Sequence, residues 1–278
     1  MKPHALIPEV IRVALLPSMH PDPAQPFASL PSIYAEKRLG IMQPYFFPYL
    51  GYFGLIANTD RWIVFDPVQY IRKGWVNRNR VLKPGGGWKY VSIPVAKHSR
   101  ETLIKDMTVT DGEDHFDTLV RNLDHYRNMR APHYQVVIDV LAKCYQPQPS
   151  DLTPFITHTL DTVCGYLGID FNREVYSAMD LKHEPAGGPG DWSLNICKEL
   201  GVRSYLNPPG GQEFFEPEKF ANAGIDLLYH HQELPAYDQR SNDFEPGLSI
   251  IDVMMFNEPK AIRDMLDGCK IDKAAGTE

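Results

Sequence analysis

From residue 39 onward the chain alternates between short unbroken apolar runs and longer stretches in which apolar positions recur at helical spacing. The two textures predict strands and helices respectively. Residues 39–42 form an apolar run that stops at Gln43-Pro44, as a buried strand does when proline removes the next backbone donor. Residues 49–58 then place Tyr49, Tyr52, Phe53, Leu55 and Ile56 at helical positions, with Asn58 as the stop. A second apolar run, 62–65, closes at Asp66-Pro67. Strand, helix and strand within about 27 residues predict a βαβ unit and a parallel pair.

Residues 88–95, entered through Lys83-Pro84-Gly85-Gly86-Gly87, and residues 103–109, closed by Asp111-Gly112, read as further strands. Helical spacing follows in Phe116, Leu119, Val120, Leu123 and Tyr126, again in Val136, Val137, Val140, Leu141 and Tyr145, and over 152–167 up to Gly168. Residues 183–190 are rich in proline and glycine and predict a loop. Asp191 or Ser193 is the expected cap of the next helix, which Gly201 ends. Short strands at 204–206 and 226–229 flank a helix at 217–223, and 249–256 and 259–266 are late helices. The expected architecture is α/β: a Rossmann-like parallel sheet nucleated by 39–110 with a helix-rich remainder. Residues 37–268 are read as a single domain in which 115–180 is a candidate helical subdomain. Residues 1–36 carry seven prolines without periodicity and read as a flexible N-terminal tail. Met42, at the onset of order, allows that tail to lie upstream of the natural start. Residues 269–278 read as a flexible C-terminal tail.

Composition narrows the function classes. A chain of 278 residues that is 43% hydrophobic can build a core without disulfides or metal. A net charge of −7 argues against a broad basic face for nucleic acid or anionic membranes. The local run Arg72, Lys73, Arg78, Arg80 and Lys83 leaves room for one basic pocket. Cys144, Cys164, Cys197 and Cys269 form no CxxC pair, so buried free thiols are expected rather than a zinc site. No apolar run reaches the roughly 18 residues of a membrane span, and Met1-Lys2-Pro3-His4 does not open a signal peptide. The cytoplasm is the expected compartment.

Candidate chemistry gathers in residues 41–79. Pro44 and Pro48 make a rigid exit loop after the first strand, and Gly51 permits close approach at the start of the following helix. Ligands of open parallel sheets sit at the carboxyl ends of the strands, where helix N-termini favour anionic or polar groups. Gln43, Tyr45, Tyr49, Gly51 and Tyr52 are therefore expected to bind substrate. Asp66, at the second strand end, is expected on the same rim. Gln69, Lys73, Trp75, Asn77, Arg78 and Asn79 add charge, a stacking face and amides, with Arg78 neutralising substrate charge. Each has a plainer alternative: an aromatic core corner, a turn-forming aspartate before Pro67, solvated loop residues. His183, in the glycine-rich loop, joins Asp66 and Arg78 as a candidate catalytic residue. Cys197 falls between Leu194 and Leu200 on an apolar face and reads as core. His230 and His231 point to opposite faces of a strand and do not share a metal. Asp252 reads as a residue placed near a helix start by the dipole. No metal site is expected.

The run Met42-Gln43-Pro44-Tyr45-Phe46-Phe47-Pro48-Tyr49-Leu50-Gly51-Tyr52-Phe53, with Asp66-Pro67-Val68-Gln69-Tyr70 and Trp75-Val76-Asn77-Arg78-Asn79, resembles the WbqC-like family. Ile93-Pro94-Val95, Ser204-Tyr205-Leu206, Gly210-Gly211 and Leu248-Ser249-Ile250-Ile251-Asp252 continue the likeness over about residues 40–256. The resemblance implies a bacterial protein of surface-polysaccharide or nucleotide-sugar biosynthesis, without an assigned reaction. Tyr49-Leu50-Gly51-Tyr52 also sits where HIGH-type nucleotidylyltransferases carry HxGH. That likeness implies a nucleotidylyltransferase-like sheet, but tyrosines replace both charge-stabilising histidines. The expected activity is group transfer on a small polar molecule, such as a nucleotide-sugar or amino-sugar. The alternatives are a Cys/His-dependent acyl or aminoacyl transferase and a non-catalytic binding protein of a glycan pathway.

Overall fold

The computed structural model describes residues 37–110, 114–148, 150–182 and 187–274. The expected N-terminal tail and His183 lie outside the described residues. In chain order the first elements are β1 (Arg38–Met42), α1 (Leu50–Ala57), β2 (Arg61–Val64), β3 (Arg78–Leu82) and β4 (Trp88–Ser92). Then come α2 (His115–Asn128), α3 (Tyr134–Cys144), α4 (Leu152–Leu167), β5 (Arg173–Val175) and α5 (Pro189–Glu199). β6 (Ser204–Asn207), α6 (Pro217–Asn222), β7 (Asp226–Gln232), α7 (Ile250–Phe256), α8 (Pro259–Leu266) and β8 (Cys269–Lys273) complete the described chain.

Six strands form one sheet in the order β5-β2-β1-β6-β7-β8. β1 pairs in parallel with both β2 and β6, β2 with β5, and β6 with β7. The predicted βαβ unit is therefore present, and the fold is α/β with a mostly parallel, Rossmann-like sheet. Strand alternation divides the core. Leu39, Ile41, Ile63, Tyr205 and Leu227 pack with Leu194, Cys197 and Phe220 of α5 and α6. Trp62, Val64 and Leu206 join the apolar faces of α1, α2, α3, α4, α7 and α8. Among the described residues no helix is long and apolar enough to cross a membrane.

Three expectations are corrected. Residues 103–109 are not a strand: Ile104–Asp106 is a 3₁₀ turn, with only isolated bridges at Leu103, Thr108 and Val109. Its buried residues Ile104, Met107 and Val109 lack strict alternation, and the N–H groups of Ile104 and Lys105 donate to Val68 and Asp66 carbonyls. Residues 269–273, expected within a tail, form β8 antiparallel to β7, with Tyr229 opposite Asp272. The strand is polar because it is an edge, which hid it from an apolar-run criterion. Helix α5 starts at Pro189 with Gly188 as N-cap, so neither Asp191 nor Ser193 caps it; proline at the first helical position has the right φ and lacks only an unneeded donor.

Asp252 stands near a helix start, as expected: it lies in the first turn of α7, where Ser249 is the cap, accepting from Ile251 N–H. Its carboxylate is fully buried. It accepts hydrogen bonds from the hydroxyls of Tyr126 and Tyr237 (2.6 Å for the latter) and from Gln239 Nε2 at 3.0 Å. Tyr126 Oη in turn accepts from Leu82 N–H at 2.9 Å, so this knot joins α7 and α2 to β3. Burial raises the Asp252 pKa despite the hydrogen-bond donors that oppose it.

Candidate functional site

The chain leaves β1 toward β2 and β5 on one side and later returns to place β6 and β7 on the other. The carboxyl ends of β1 and β6 therefore border the switch point of the sheet, where connections diverge and leave a crevice. A cleft of about 820 Å³ occupies that position. Met42 and Gln43 leave β1 into it, Phe65 follows β2, and Asn207 ends β6.

The loop 43–49 is pinned from several directions. Tyr52 Oη donates to Gln43 O at 2.9 Å, and Phe46 N–H donates to Trp75 O at 3.0 Å. Asn79 Nδ2 donates to Phe46 O at 3.2 Å, and Ser249 Oγ donates to Phe47 O at 2.6 Å. These bonds hold Phe47 at φ 39°, a conformation costly for a residue with a Cβ and tolerated only where the surroundings over-determine it. The Tyr49 ring lies over Gly51: a Cβ at Gly51 would come within 2.5 Å of it. That close approach fixes the Tyr49 wall.

Nine aromatic side chains line the cleft, and none of its lining side chains is charged. Tyr45 and Tyr52 are 5.6 Å apart, and Phe65 meets Trp192 edge-on at 5.4 Å. Polar groups are neutral: Gln43, Ser193, Asn207 and the phenols. Tyr205 Oη donates to Asn207 Oδ1 at 2.9 Å and Asn207 Nδ2 donates to Pro208 O at 2.9 Å, which orients that amide. Burial raises the Tyr45 and Tyr49 hydroxyls above their ordinary range and Tyr52 well above it, so they act as neutral hydrogen-bonding groups. Such a surface stacks on a ring and hydrogen-bonds its substituents.

Of the residues expected to bind substrate, Gln43, Tyr45, Tyr49, Gly51, Tyr52 and Trp75 meet in this cleft. Asn79 lines an adjoining cavity of about 300 Å³ that shares Tyr45, Tyr49 and Trp75 with it. The others are occupied elsewhere. Asp66 is buried and accepts from Ser177 N–H at 3.0 Å and Ser177 Oγ at 2.6 Å, so it ties the end of β2 to the turn after β5 and does not line the cleft. Arg78 donates to the carbonyls of Gly74 and Lys73 and stacks 3.8 Å over Tyr90, bracing its own loop. Asn77 bridges Tyr70 Oη at 2.7 Å and Ile93 O at 2.9 Å. Gln69 donates to Arg100 O at 2.5 Å, and Lys73 is exposed at φ 61°.

Cys197 is buried in the core between the sheet and α5, its thiol pushed up to about 12 by desolvation, which makes it inert. His230 is buried, and desolvation, with help from His231, lowers it to about 4. His231 faces the other way, 3.5 Å from Asp272. Among the described residues no cluster of three or more His, Cys, Asp or Glu side chains is placed to hold a metal. Sequence reading missed Trp192, Tyr205, Phe214 and Phe215. A lone Trp192 carried no signal, because one aromatic among helical positions reads as core.

The cleft residues from Gln43 to Phe215 lie within residues 43–264, the span matched by the sequence model of the WbqC-like protein family. The chain belongs to the WbqC-like protein family. A protein of Mycobacterium tuberculosis (strain ATCC 25618 / H37Rv), named Uncharacterized protein Rv1507c, is 29% identical to this WbqC-like chain over 236 residues. The alignment covers 84% of this chain and 99% of that relative. No solved structure matches. In this WbqC-like chain Tyr49 and Tyr52 have separate tasks: Tyr49 walls the cleft and Tyr52 clamps the loop.

Proposed function

We propose that the switch-point cleft binds a small polar molecule containing a ring, of the activated-sugar class. The chain then serves surface-polysaccharide or nucleotide-sugar biosynthesis as a group-transfer enzyme that acts by orienting its substrate. One observation carries the reading: nine aromatic rings and only neutral polar groups converge on the crevice where parallel sheets bind ligands. Sugar rings present apolar C–H faces and hydroxyl edges, which match aromatic walls and amide or phenol partners. Isothermal titration of the full chain against nucleotide-sugars, their free sugars and their nucleotides tests it. Saturable binding of the sugar-bearing members is expected; no binding across the panel by folded protein would overturn it.

A second reading is favoured by a specific observation. Asp66, Arg78, His230 and His231 scatter, so the described part of the cleft holds no carboxylate, imidazole or thiol to act as base or nucleophile. In that reading the chain binds the glycan precursor without transforming it. Mass spectrometry of the bound nucleotide-sugar after incubation with amine and hydroxyl acceptors separates the two. Transfer of the sugar or its substituent supports the enzyme; unchanged ligand at saturating protein supports the binding protein.

A further inference from the structure

The cavity beside the cleft differs from it in one respect: its lining includes a cation, Arg80. Arg80 and Arg78 lie two apart on β3 and so on one side of the ribbon formed with β4, yet they are used differently. Arg78 makes two carbonyl contacts and covers Tyr90. The Arg80 guanidinium sits between two indoles, 5.5 Å from the Trp75 ring centre and 5.3 Å from that of Trp88. Among the described residues its one hydrogen bond runs from Nη2 to Gly247 O at 3.2 Å, and its buried Nε has no partner. Among the described residues no carboxylate lies in ion-pair range of it.

Gly247, at φ 65°, turns the chain so that its carbonyl meets this guanidinium, and Leu234 lines the recess beside it. A guanidinium is a fork that recognises planar or tetrahedral oxyanions through parallel N–H donors. Held between rings in a largely apolar recess, it attracts an anion more strongly than it would in open water. The shared walls Tyr45, Tyr49 and Trp75 make cleft and recess contiguous compartments.

We propose that Arg80 and the recess around it bind the oxyanion of the ligand, a phosphoryl or carboxylate group attached to the ring held in the aromatic cleft. This rests on the cleft reading above and adds the charge class of the ligand: a ring with an anionic arm, the neutral cleft taking the ring and the recess the arm.

The test uses the full chain and four probes: inorganic phosphate, acetate, glucose and glucose 6-phosphate. NMR of the indole N–H signals reads phosphate and acetate at Trp75 and Trp88, the two rings that flank Arg80; titration calorimetry reads the sugars. The expected result is that an anion shifts the signals of Trp75 and Trp88, and that glucose 6-phosphate binds about tenfold more tightly than glucose at low salt. Arg80→Gln loses both effects, and Arg80→Lys, which keeps the charge without the fork, recovers part of the affinity ratio. Larger shifts with phosphate than acetate assign a phosphoryl arm, the reverse a carboxylate. Equal affinity for the two sugars, or anion shifts as large in Arg80→Gln as in the unaltered chain, overturns the proposal. If phosphate moves the two indoles while no sugar binds, the recess stands and the aromatic-cleft reading falls.

Discussion

Two cavities of comparable size lie at opposite ends of the same sheet, and their chemistry is opposite. The one at the carboxyl ends of β1, β2 and β6 is walled by aromatic and neutral polar side chains. The one at the amino ends of β1, β2 and β5, about 680 Å³, is lined by Lys37, Asp60, Asp170, Arg263 and Asp267. At the amino end, charge is bound to backbone: Asp60 accepts from Arg38 N–H at 2.9 Å, and Arg263 donates to Leu167 O at 2.7 Å, closing the end of α4. Asp252, in the core, is held by side chains instead, two tyrosine hydroxyls and an amide. In these places charge holds elements together, while the cleft at the carboxyl ends is lined by neutral groups, with Arg80 in the recess beside it.

Substitutions and pH test that contrast. The largest effect is expected from Asp252→Ala, which strips the acceptor from two tyrosine hydroxyls and an amide. A loss of about 3 kcal/mol in urea unfolding is expected; a loss below a quarter of that would mean the carboxylate is not an organising group. Its pH dependence has a definite sign. Because burial raises the folded pKa, the stability tied to the protonated form is full below about pH 4, near the unfolded value, and falls as pH rises through the folded pKa. Asp252→Asn should flatten that part of the stability profile.

Next, Trp75→Ala should weaken ligand binding about tenfold through lost stacking while leaving the unfolding midpoint nearly unchanged, since Trp75 is 39% exposed. A stability loss without an affinity loss would move Trp75 to the architectural side. Gly51→Ala should act the same way more gently, about threefold, because the new methyl displaces the Tyr49 ring rather than backbone. A crystal structure of that variant with Tyr49 unmoved would contradict the mechanism. Smallest is Arg263→Ala at the other end: about 0.5 kcal/mol of stability and no change in affinity. Binding of a neutral sugar should also be flat from about pH 6 to 9, because the phenols facing it are raised in pKa.

Much of the sheet was readable because β1, β2, β6 and β7 are apolar runs cut short by proline, glycine or aspartate. β3 was not, since Arg78-Asn79-Arg80-Val81-Leu82 buries Asn79 and Val81 on one side and presents arginines on the other, a pattern easily taken for a basic loop. The site was half legible. Its loop could be placed from Gln43-Pro44 because strand ends and prolines are local signals. Asp66 and Arg78 misled because whether a polar group faces a cleft or a neighbour depends on partners far along the chain, such as Ser177 at a separation of 111 residues. The family likeness read from residues 41–79 holds, since the family match begins at Gln43.

The antiparallel β8 strand has a consequence for self-association. β7 is apolar on one face at Leu227 and Tyr229 and on the other at Leu228, and without β8 it would present open backbone donors and acceptors along an edge. β8 covers it with a strand whose Lys270 and Lys273 form ion pairs with Asp272 and Asp226, while β5 at the other edge is only three residues long. Removing the chain from Cys269 onward should therefore turn a guarded edge into a template for another copy, seen as concentration-dependent aggregation by light scattering.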